Sequence, residues 1–65
     1  MIYVNDKPME WFKGMTISNV MDSIEDNYPY AAVHIDDKVV TLPKFDKFIV
    51  KDRSEIYLIP LIAGG

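Results

Sequence analysis

The sequence predicts an α+β fold: a mixed sheet of four to five strands with one helix packed across it. Three observations carry that expectation. Apolar residues alternate with a period of two at both ends of the chain, at Ile2 and Val4 and again at Ile56 and Leu58. Between them, Ile17, Val20, Met21 and Ile24 recur at i, i+3, i+4 and i+7, the spacing of a single helical stripe. The 65 residues are 49% hydrophobic, enough for one small core. That core must hold without staples, because the chain has no cysteine and a single histidine.

The elements follow in order. Met1 to Asn5 reads as a first strand with one buried face. Asn5-Asp6-Lys7-Pro8 is rich in turn formers, and Met9 to Phe12 is expected to return as the second strand. Lys13-Gly14 stops it. Thr16 suits the N-cap of the helix, whose wet side is assigned to Ser18, Asn19, Asp22, Ser23 and Glu25. Pro29 marks the exit, since the residue before a proline disfavours helix.

Ala32 to Ile35 reads as a third strand, turned by Asp36-Asp37-Lys38 into Val39-Val40. Leu42, Pro43, Phe45 and Phe48 have the spacing of a helical turn, and Ile49-Val50 is expected as a minor edge strand. Lys51-Asp52-Arg53-Ser54 is the last turn before a final strand, Glu55 to Leu61. A hairpin, a crossing helix and further strands let the first and last strands lie side by side in parallel. This is the β-grasp arrangement. Residues 1–61 are read as a single domain and 62–65 as a flexible tail.

Charge narrows the function classes. A net charge of −3 without clustered Lys and Arg argues against nucleic-acid binding. The acidic pairs Glu25-Asp26 and Asp36-Asp37 fall where turns are expected and read as solvated loop charge. Met1-Ile2-Tyr3-Val4 shows no basic secretion leader, and no apolar run has membrane-spanning length. The expectation is a cytoplasmic chain, monomeric when free, with neither membrane nor nucleic acid as partner.

The last residues hold the most chemistry. Ile62-Ala63-Gly64-Gly65 follows the apolar run from Ile56 to Leu61. Glycine has no Cβ, so Gly64 and Gly65 can enter a channel too narrow for any side chain and present a carboxylate there. On the final strand, Ile56 and Leu58 alternate inward and leave Tyr57 and Ile59 on the opposite face. An apolar outward face beside such a tail reads as a docking patch, comprising Tyr57, Ile59, Leu61, Ile62 and Ala63. Pro60 lacks an N–H and weakens pairing at the point of departure.

These residues resemble the ubiquitin-like sulfur carriers of the ThiS/MoaD family, and the thiamine-pathway carriers most closely. The likeness covers the whole chain. It rests on Ile2-Tyr3-Val4-Asn5-Asp6, on Thr16 with its striped helix, on Val39-Val40 followed by Phe45, Ile49-Val50 and Asp52, and on Ile56 through Gly65. Thr41-Leu42 stands where the family often has Pro-Arg, and Asp52-Arg53-Ser54 where it often has Asp-Gly-Asp. The resemblance implies that Gly65 is adenylated by an E1-like activating enzyme and converted to a thiocarboxylate with sulfur from a persulfide protein. A biosynthetic enzyme, thiazole synthase above all, would then take the sulfur. It also implies that the chain binds no cofactor itself, the ATP belonging to the activating partner, and that it is a protein co-substrate and no enzyme.

Other functions stay open on the residues alone. The same tail would serve a carrier for molybdopterin, a tungsten cofactor or another acceptor, or a modifier joined to lysines. A β-grasp domain that docks and never reacts is the third class. Elsewhere the bland readings prevail. His34 has no ligand constellation around it and reads as a structural or surface residue. Trp11, Phe12, Phe45 and Phe48 are expected to complete the core, Met15 and Met21 to fill it, and Tyr28 and Tyr30 to pack at the helix exit.

Overall fold

The structure, a computed structural model, describes residues 1–24 and 29–60. The expectations for Glu25, Asp26 and Tyr28, and for Leu61 through Gly65, fall outside the described residues. The elements are β1 (Ile2–Val4), β2 (Lys7–Met9), α1 (Ile17–Asp22), β3 (Tyr30–Ile35), β4 (Lys38–Thr41), a 3₁₀ turn (Leu42–Lys44) and β5 (Glu55–Pro60). One five-stranded sheet runs in the order β2-β1-β5-β3-β4. Its central pair, β1 and β5, is parallel in the register Tyr3↔Glu55 and Val4↔Ile56, and the other pairs are antiparallel. This is the β-grasp topology.

Strand β2 begins earlier than the turn-rich residues suggested, at Lys7 instead of Met9, and ends before Trp11. The turn needs only Asn5 and Asp6, whose φ angles of 49° and 68° are both left-handed. Two positive φ values give a tight hairpin that matches the twist of the flanking strands. Pro8 is tolerated because it lies opposite Tyr3, between the pairs Val4↔Lys7 and Ile2↔Met9 that flank it. At that alternate position on an edge strand no ladder hydrogen bond is required of it.

Helix α1 is six residues long, too short to persist in isolation, so its ends and its buried side must hold it. Thr16 is the N-cap, as expected. Its Oγ1 accepts from the Asn19 N–H at 3.2 Å, and Asn19 Oδ1 accepts from the Thr16 N–H at 2.9 Å. Asn19 thereby plays the reciprocal part usually taken by Glu or Gln. Ile17 and Val20 are buried, while Met21 and Ile24 pack at the margin. Ser18 and Asn19 are half-buried and not on a fully wet face as the pattern suggested, because the segment following β4 crosses there: the Ser18 N–H donates to the Phe45 carbonyl at 2.9 Å.

That crossing also explains Ile49 and Val50. They form no edge strand: Ile49 makes an isolated bridge to Thr16, and the Val50 N–H donates to the Met15 carbonyl at 2.7 Å. Trp11 closes the same corner by donating from Nε1 to the Val50 carbonyl at 2.9 Å. The core between sheet and helix comprises Ile2, Val4, Met15, Ile17, Val20, Val33, Ile35, Val40, Phe45, Val50 and Ile56. Each such fully buried aliphatic contributes about 1.5–3 kcal/mol of transfer free energy. Trp11, Phe48 and Met21 pack against this cluster, but Phe12 is 53% exposed and belongs to the surface. The β-turn before β5 is pinned to the start of the chain: the Met1 ammonium contacts Asp52 at 2.6 Å, and the Arg53 N–H donates to the Met1 carbonyl at 3.0 Å. The ammonium holds the Asp52 carboxyl below its ordinary value, chiefly by that hydrogen bond.

Candidate functional site

The sheet has two unlike faces, and the site follows from their difference. Ile56, Val33 and Val40 point inward and are buried. Their neighbours along each strand must point outward. Across β4, β3 and β5, Val39, His34 and Tyr57 stand in one row, and Thr41, Ala32 and Ile59 in the next. Tyr57 is 42% exposed, Ile59 37% and Val39 61%, so the outer face is open to solvent at these positions, while the small Ala32 beside Ile59 is buried. The sequence-derived alternation of β5 is therefore observed, with Ile56 fully buried, Leu58 half-buried and Tyr57 and Ile59 out. Tyr57 and Ile59 lie on the strand that runs toward Leu61 and the glycines.

His34 is half-buried in the middle of the outer face, between Tyr57 and Val39. Among the described residues no group of three or more His, Cys, Asp or Glu side chains could hold a metal. Tyr30, expected at the helix exit, opens β3, pairs with Pro60, the last residue of β5, and lines a hollow with Ile24 just past the helix. The pairing slips between Tyr30 and Ala32, so the two strands separate their registers where β5 ends.

Two residues at the site, Asn5 and Asp6, were read from the sequence only as a turn and as part of the family likeness, with no role at the site. Asn5 Oδ1 accepts the Leu58 N–H at 3.0 Å, and Asp6 Oδ1 accepts the Tyr57 hydroxyl at 2.9 Å. The hydrogen bond to Asp6, reinforced by the carboxylate's charge, raises the Tyr57 pKa. Asn and Asp tolerate left-handed backbone, which signals the turn, but nothing local in the sequence points to partners more than fifty positions away.

A β-grasp domain with one bare sheet face, aromatic and aliphatic along the strand that leads to Gly64-Gly65, is the class that fold and site define together. Within that class the chain belongs to the ThiS family, whose family model matches residues 2–65. It is also similar to the sulfur carrier protein ThiS of Escherichia coli (strain K12), 30% identical over 64 residues that cover 98% of this chain and 97% of that protein.

Proposed function

We propose that the chain is a sulfur carrier that works through a thiocarboxylate on Gly65 and delivers its sulfur for thiazole formation in thiamine biosynthesis. The observation that carries this reading is the family match, which runs through Gly64-Gly65. The open face of β5 beside it supplies the docking surface, with Tyr57 and Ile59 on the strand and Leu61, Ile62 and Ala63 completing it along the tail.

The chemistry explains why partners are needed. A carboxylate repels nucleophiles and has an oxide leaving group. Attack of the Gly65 carboxylate on ATP releases pyrophosphate and forms an acyl adenylate, with AMP as the new leaving group. A persulfide on a second protein then attacks the acyl carbon through its terminal sulfur and expels AMP. A thiol cleaves the resulting acyl disulfide, forming a disulfide with the donor cysteine and releasing the thiocarboxylate. Gly64 keeps the approach narrow, and the chain itself provides no acid, base or metal ligand for any step. It is a co-substrate, monomeric when free and cytoplasmic, of an E1-like adenylating enzyme, a persulfide donor and thiazole synthase.

Intact mass after incubation with the activating enzyme, ATP and a persulfide donor tests this. The expected result is a gain equal to replacing one oxygen by sulfur, absent when Gly65 is deleted. An unchanged mass, with the enzyme shown to activate a known carrier, overturns the reading. Attachment to lysines in place of the sulfur gain would make the chain a modifier.

A further inference from the structure

The end of strand β1 carries an unusual substitution of side chain for backbone. In the parallel β1–β5 ladder, the Tyr3 N–H donates to the Ser54 carbonyl at 3.0 Å and the Asn5 N–H to the Ile56 carbonyl at 2.8 Å. The next rung of such a ladder would run from the Leu58 N–H to the Asn5 backbone carbonyl. Asn5 has already turned left-handed, with φ of 49°, and its side-chain Oδ1 takes that rung at 3.0 Å. Residues of β5 point their N–H groups toward β1 at every second position, and the one after Leu58 is Pro60, which has no N–H. Asn5 thus receives the last hydrogen-bond donor that β5 directs toward β1. On the outer face, Asp6 holds the neighbouring Tyr57 by its hydroxyl.

We infer that Asn5 and Asp6 are positioning residues, which clamp Leu58 and Tyr57 and so fix the end of β5 from which the C-terminal residues continue. The inference rests on the carrier reading above. An anchored end of β5 presents the residues after Pro60 to the activating enzyme from a fixed point and lowers the ordering cost of docking. Without the clamp, β5 beyond Ile56 is held on its β3 side alone, and docking must order its freed β1-side edge before the carboxylate arrives. Once the tail is threaded, the chemistry is the same. The effect therefore falls on KM for the carrier and leaves kcat in place.

The test compares Asn5→Gly, which keeps a backbone suited to positive φ and deletes the acceptor, with Asn5→Asp, which keeps an acceptor oxygen. Two quantities are measured: hydrogen exchange of the Leu58 amide, and carrier-dependent ATP–pyrophosphate exchange by the activating enzyme. N5G is expected to lose Leu58 protection while Ile56 stays protected, and to raise KM about fivefold, the weight of one net hydrogen bond. N5D restores both. Asp6→Gly is expected to raise KM with the Leu58 amide still protected, and carries the comparison if N5G fails to fold. An N5G variant that retains Leu58 protection, or that loses it with KM unchanged, overturns the positioning role. If the parent chain supports no exchange with an enzyme active on a known carrier, the carrier reading falls and the positioning role with it.

Discussion

Tyr57 shows how one contact can give a surface residue a definite state. Its ring lies on the bare face of β5, yet its hydroxyl is tied to Asp6 at 2.9 Å. Only the protonated phenol can donate to that carboxylate, and ionisation would set two negative charges against each other. Both effects raise the pKa above the ordinary tyrosine value of about 10. A raised folded-state pKa means that the contribution of this contact is fully present below the unfolded-state value. It is lost as pH climbs through the folded-state value. In an alkaline titration followed by tyrosinate absorbance, Tyr57 is expected to ionise above the ordinary tyrosine value. Tyr57→Phe should delete that high-pH step, and Asp6→Gly should lower it. A parent chain in which Tyr57 ionises at the ordinary value would contradict the contact.

At the scale of elements, helix α1 is held less by propensity than by its first turn and two buried residues. Six residues with Ser, Asn and Val among them form no stable helix alone. The paired contacts of Thr16 and Asn19 satisfy two of the N-terminal donors, the Phe48 and Phe45 carbonyls accept from the Ile17 and Ser18 N–H groups, and Ile17 and Val20 anchor the stripe. Thr16→Ala should cost about 1 kcal/mol in denaturant unfolding, with the m value unchanged. Asn19→Ala added to it should cost less than the sum of the two single changes, because both break one reciprocal pair. Additive losses would show that the cap residues act separately.

The same scale explains what was legible in the sequence. Strand and helix periods were readable because each element buries one face, and Ile2, Val4, Ile17, Val20 and Ile56 are all in the core. The parallel placement of first and last strands followed from the connection length. Strand β2 was displaced because Pro8 reads locally as a turn former, and only its edge position opposite Tyr3 makes it acceptable in a strand. Ile49-Val50 looked like a strand because β-branched pairs do, but tertiary packing against Met15 and Thr16 decided their role. Of the candidate site, Tyr57 and Ile59 were legible from alternation. Asn5 and Asp6 were not, since their partners Leu58 and Tyr57 lie at the far end of the chain.

The whole molecule divides its labour across the thickness of one sheet, and strand β5 is where the two tasks meet. Ile56 faces the helix and is fully buried, whereas Ile59 faces away and is 37% exposed. A chain of this length has a stability of about 3–10 kcal/mol in total. Ile56→Ala, which leaves a cavity in a small core, should remove about 2–5 kcal/mol of it and bring the domain near unfolding. Ile59→Asp introduces a charge on a solvated surface and should change stability by about 1 kcal/mol or less. If the outer face docks the activating enzyme, that harmless change should nevertheless raise KM in pyrophosphate exchange strongly, because docking would have to desolvate the new carboxylate. A folded Ile59→Asp chain that is activated like the parent would mean that the bare face serves something other than this encounter. A weakened encounter at undiminished stability would separate, on one strand and three residues apart, what holds the fold from what its partners read.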